Sequence, residues 1–148
     1  MQARYLPRKL ELDALVRTLV DEHRVMKDGL RIARDSAGTG DYETASTALK
    51  RVDPVFRQHI ADEEATVLGL LIRSLGVKGA EAEILVFRQH RPIYELMQKV
   101  AKLAELPPTE LEKSQADLES LFEEHTLAEE EAVFPKALSL RSGRPRSA

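Results

Sequence analysis

The residues whose types and spacing could do chemistry are the chain's four histidines, His23, His59, His90 and His125, together with two glutamates. His59 is followed four residues later by Glu63, and His125 four later by Glu129. Positions i and i+4 of an α-helix project from one face on consecutive turns, so each pair can reach a common ion. The intervals repeat as well: 36 residues separate His23 from His59, and 35 separate His90 from His125. The chain therefore reads as two helical hairpins, each supplying one His and then His-x-x-x-Glu. Folded together, they bring four imidazoles and two carboxylates to the middle of a bundle. A lone histidine on an apolar stripe is an ordinary core residue. All four would fall inward by chance only about once in eighty, with a third of helix positions facing inward.

Glu63 and Glu129 occupy core positions, where a bare carboxylate must be paired, protonated or metal-bound. No Lys or Arg shares their stripes near His59 or His125. Imidazole with carboxylate suits iron, manganese or zinc, and the lack of sulfur disfavours copper(I). A closed tetrahedral zinc site has no need of six ligands, so two irons are the better count. Three residues before the histidines stand Val20, Phe56, Phe87 and Phe122. They are expected to form an apolar layer beside the metals, excluding water and leaving room for a small, weakly polar ligand.

Four helices must position these groups. The chain has 148 residues, few Gly and Pro, and no Cys. The first segment runs from about Pro7 to Ala37, with Leu12, Val16, Leu19, His23, Met26 and Leu30 on one stripe. Gly38-Thr39-Gly40 closes it. The second runs from about Asp41 to Leu75, closed by Gly76, with the stripe Ala45, Leu49, Val52, Phe56, His59, Glu63, Val67 and Leu70. Asp53-Pro54 predicts either a kink or a fresh helix start with Asp53 as N-cap. The third, about Gly79 to Leu106, carries Val86, His90, Ile93, Met97, Val100 and Ala104, and Pro92 predicts a kink beside His90. The fourth opens at Pro107-Pro108, where Thr109 and Glu112 have capping-box spacing. Its stripe is Leu111, Leu118, Phe122, His125, Glu129 and Ala132. Short joints force an all-α, up-down-up-down four-helix bundle. One domain covers residues 1–148, its bundle about 8–140 and a basic flexible tail 141–148.

Composition excludes several classes. Without cysteine there are no disulfides, thiolate sites or iron–sulfur clusters, which fits a reducing cytoplasm. The net charge of −3 offers no basic field for nucleic acid or an anionic membrane. Apolar runs are far short of the roughly 20 residues a span requires, and the first ten residues read as no secretory signal. No Gly-rich phosphate loop or nucleophile motif is present.

The motifs resemble those of the hemerythrin-like proteins, also called HHE cation-binding domains. The residues that carry the resemblance are His23, His59-Ile-Ala-Asp-Glu63-Glu64, His90, and His125-Thr-Leu-Ala-Glu129-Glu130-Glu131-Ala-Val-Phe-Pro135. It covers essentially Leu10 to Leu140. The resemblance implies a non-haem di-iron centre: His23 and His59 on one iron, His90 and His125 on the other. Glu63 and Glu129 would bridge them beside an oxo or hydroxo group. It also implies that the protein handles a diatomic or peroxide ligand, with dioxygen, peroxide or nitric oxide as the candidates. Decomposing peroxide or detoxifying nitric oxide in a stress response leads, and an iron- or oxygen-responsive sensor is the alternative. The oligomeric state is left open, a monomer being allowed. Two departures from the oxygen-carrying branch argue against reversible carriage. Tyr94 stands where those carriers have another histidine, and it either packs or touches the second iron. Where they have a bridging Asp, this chain has Glu130; the i+4 spacing favours Glu129 as the bridge, with Glu130 behind it.

Overall fold

The computed structural model describes residues 5–142. It contains four bundle helices and, among the described residues, no strand. The first is α1, Leu12–Gly38. The second is α2 (Tyr42–Asp62), a π-helical turn over Glu63–Val67, and α3 (Leu68–Gly79). The third is α4 (Glu81–Arg88) and α5 (His90–Val100), followed by a 3-10 turn at Leu103–Glu105. The fourth is α6 (Pro108–Ala128), a second π-helical turn over Glu129–Val133, and α7 (Phe134–Ser142). Consecutive helices run antiparallel, as short joints demand.

The helix ends follow local chemistry, with two departures from the sequence reading. Gly40 takes a positive φ of 83° just after the first helix, and Gly76, at 75°, breaks α3 three residues before its end. Asp41 caps α2, its carboxylate accepting from the Thr44 amide at 3.1 Å. Pro54 lies inside an unbroken α2, and Asp53 accepts from Arg57 at 2.9 Å instead of capping a new helix. No capping box forms at Thr109, because α6 already begins at Pro108, where a fixed φ and a missing N–H cost nothing. The break beside His90 falls at Gln89, whose amide bonds to the Val86 carbonyl.

The two π-helical turns account for a consistent shift in the buried stripes. Along the second helix the buried positions are His59, Glu63, Val67 and Leu71; along the fourth they are His125, Glu129, Val133 and Ala137. A spacing of four drifts by about 40° per step on a straight α-helix. One turn closed by i→i+5 bonds, Leu68 to Glu63 and Phe134 to Glu129, absorbs the drift. Hence Leu71 replaces the expected Leu70, and Val133 is buried where Ala132 is exposed.

The core divides into two apolar clusters. One includes Met26, Leu30, Leu49, Val52, Phe56, Ile93, Leu118 and Phe122. The other includes Leu15, Leu19, Val67, Leu71, Phe87, Val133 and Phe134. A polar layer lies between them. Of the C-terminal tail, Arg141 belongs to α7 and donates to Asp13 at 2.7 Å, while residues 143–148 lie outside the described residues. No described helix is long and apolar enough to cross a membrane.

Candidate metal centre

Each bundle helix sends one histidine into the polar layer, and the second and fourth helices add a glutamate at the start of their π-helical turns. His23, His59, Glu63, His90, His125 and Glu129 are each 5% exposed or less. They form two groups of four donors, each group's ligand atoms lying within 4.8 Å of one another: His23, His59, Glu63 and Glu129, then Glu63, His90, His125 and Glu129.

Both carboxylates face both groups, one oxygen to each. Glu129 sets Oε1 2.9 Å from His23 Nε2 and Oε2 3.2 Å from His125 Nε2. Glu63 sets Oε2 3.2 Å from His59 Nε2 and Oε1 2.9 Å from His90 Nε2. Several of these close approaches lack hydrogen-bond geometry. Both oxygens of Glu63, Oε2 of Glu129 and Nε2 of His90 are buried without a hydrogen-bond partner. Orphaned buried atoms of this kind are costly. Donors bound to one metal at about 2.1 Å sit about 3 Å apart when adjacent. The observed spacing suits donors arranged around a metal ion, and each group of four fits a cation.

The outward nitrogens are all engaged. His23 Nδ1 donates to Glu130 at 2.7 Å, His59 Nδ1 to Glu22 at 3.0 Å, His90 Nδ1 to Glu64 at 3.1 Å, and His125 Nδ1 to Gln89 Oε1 at 2.9 Å. Each acceptor takes the Nδ1 proton and leaves Nε2 facing inward as the nitrogen a metal would displace a proton from, which is how metal-ligating imidazoles are held. The sequence pattern assigns no role to Glu22 or Gln89, and it includes Glu64 only as part of the motif after His59. The available signal was their adjacency to His23, Glu63 and His90.

The electrostatics express the same demand for positive charge. Burial pushes His90 down, but Glu129, Glu63 and Glu64 outweigh it and hold the imidazole at about 11. Burial likewise opposes protonation of His59, and the nearby carboxylates of Glu63, Glu129 and Glu22 carry it well above its ordinary value. For Glu129 burial raises the carboxyl, yet interactions with Glu63, His125, His23 and His59 hold it well below the usual range. Glu22 is raised by burial but held low by His59 and Arg8.

The family comparison agrees with this geometry: the model of the hemerythrin HHE cation-binding domain matches residues 14–137. The chain belongs to the hemerythrin HHE cation-binding family. No curated protein and no solved structure matches it. In this hemerythrin-like bundle the remaining residues singled out from the sequence take different places. Tyr94 stands apart from both donor groups. Its hydroxyl accepts from Arg57 at 2.8 Å, and that guanidinium lies 5.2 Å from the ring centroid. Glu130 sits behind His23 and outside both groups.

The residues three before the histidines do not form one apolar layer. Phe56 and Phe122 lie in one core cluster, Phe87 and Val20 in or against the other. The reason is helix direction: in antiparallel helices, three residues back leads to opposite ends. The histidines are thus capped from both sides. Phe122 stands edge-on to His23 and Phe87 stacks on His90 at 5.4 Å. Phe134, not foreseen, stacks on His23 at 5.9 Å.

Proposed function

We propose that this chain is a non-haem di-iron protein that binds or turns over dioxygen, peroxide or nitric oxide, with peroxide decomposition or nitric oxide detoxification in the lead. The observation that carries the reading is the pair of four-donor groups sharing both glutamates. One iron would be held by His23 and His59, the other by His90 and His125, and both by Glu63 and Glu129. When bound, the irons supply electrons to, or take them from, a small ligand. Histidine–carboxylate sets of this size leave coordination positions unfilled by protein.

The chain's own residues do the rest. Glu130, Glu22, Glu64 and Gln89 orient the imidazoles. Phe87, Phe122 and Phe134 keep bulk water from them. A surface cavity of about 280 Å³ between α1 and α6, bounded by Lys27, Leu30, Arg34 and Glu119, reaches inward as far as Phe122. The purified chain is expected to carry two irons, with a near-ultraviolet iron absorption band. Consumption of peroxide or nitric oxide by that form makes it an enzyme, and a chain that resists iron loading overturns the reading.

A second reading, an iron- or oxygen-responsive module without turnover, is favoured by one observation. Arg8, in the segment before α1, bonds to Glu22, the acceptor of His59. Cation occupancy would then act on a segment outside the bundle. Proteolysis at Arg8 that speeds up on iron removal, without loss of helix content, supports this reading.

A further inference from the structure

The two donor groups match on the inside and differ in charge on the outside. Glu22 and Gln89 hold equivalent places, each directly preceding one histidine and accepting from the histidine of the next helix. Glu22 is an anion and Gln89 a neutral amide. The other two acceptors, Glu130 and Glu64, are both carboxylates and so cancel in the comparison.

The difference is reinforced one layer further out. Asp62, three residues after His59, is fully buried. It accepts from the backbone amide and the Nε of Arg8, both at 2.7 Å, and from Gln58 at 3.2 Å. Arg8 Nη2 also reaches Glu22 at 3.0 Å. The residue three after His125 is Ala128, which offers no such group. Glu22, Asp62 and Arg8 together leave one negative charge beside His59, whereas among the described residues the outward nitrogen of His125 meets only the neutral Gln89. An anion accepting Nδ1–H raises the basicity of the imidazole and strengthens donation from Nε2, and a neutral amide does so less. The negative charge also attracts a nearby cation directly in a low-dielectric interior.

We propose that Glu22, braced by Arg8 and Asp62, is a positioning residue that makes the His23–His59 half the tighter of the two metal sites, while Gln89 leaves the His90–His125 half the weaker and more readily exchanged. The inference rests on the two-cation reading above. Its test is a titration of the metal-free full chain with cobalt(II), followed by binding heat and visible absorption. Wild type is expected to bind two ions in two separate steps. Glu22→Gln, which keeps size and shape, should weaken the tighter step by about 10–100-fold and leave the weaker one within about twofold. Gln89→Glu should strengthen the weaker step alone. It decides the matter even if the first variant fails to fold, which the melting curves of the metal-free proteins reveal. Two steps of equal affinity in wild type overturn the inference and leave the two-cation reading standing. So does a Glu22→Gln effect on the weaker step or spread over both, or a weaker step unmoved by Gln89→Glu. Uptake of fewer than two ions overturns both.

Discussion

The half of the bundle built from α1 to α3 and the half built from α4 to α7 reach nearly the same inner geometry by different local means. In the first half, the histidine of α1 sits on an unbroken helix of 27 residues, and the next helix opens on the side-chain cap of Asp41. In the second half, the equivalent histidine begins α5 just after a break at Gln89, and the next helix opens on Pro107-Pro108. Both halves nevertheless present a His-x-x-x-Glu pair and a π-helical turn that starts at the glutamate. The comparison teaches that the inner donors depend on helical periodicity, which tolerates such variation, whereas the outer acceptors depend on what a neighbouring helix or segment brings alongside.

The largest effect is expected where the halves are joined. Glu63→Ala removes an oxygen from each donor group, so iron content should fall towards zero, whereas His125→Leu should leave about one iron per chain. Equal loss in the two variants, measured by colorimetric iron assay, would erase the distinction between shared and private ligands.

Next in size is the dependence of the metal-free chain on pH. His90 holds its proton to about 11 when folded, against an ordinary 6.5. Its contribution is whole below the ordinary value and is lost as pH climbs through the folded one. His59 acts in the same sense, and Glu129, held low, adds stability that disappears in acid. The urea midpoint of the metal-free chain should therefore fall as pH rises from 6.5 towards about 11 and again in acid. Loaded protein should lack the alkaline fall, because cations replace those protons.

A smaller effect separates the halves directly. Arg8→Ala takes the guanidinium away from Asp62 and Glu22, in the first half only, and leaves their other hydrogen bonds in place. Since Arg8 is partly exposed, the loss should be about 1–2 kcal/mol by urea denaturation. The smallest contrast compares two helix starts. Asp41→Ala should lower the melting temperature measurably, while Thr109→Ala should leave it unchanged, because only Asp41 caps its helix.

The sequence by itself determined the helices, their antiparallel order and the six donors that converge, because a helical repeat is a local property that spacing records directly. His59 and Glu63 share a face whatever the rest of the chain does, and so do His125 and Glu129. Only the tertiary structure decided that Leu71 and Val133 take the core positions read as Leu70 and Ala132, since the widened turn is a choice of backbone hydrogen bond. It also decided that Phe56 and Phe122 lie opposite Phe87, that Tyr94 goes to Arg57, and that Glu22 and Gln89 close the outer layer. Each of those outcomes depends on the direction and rotation of a neighbouring helix, which no periodicity within one segment can encode.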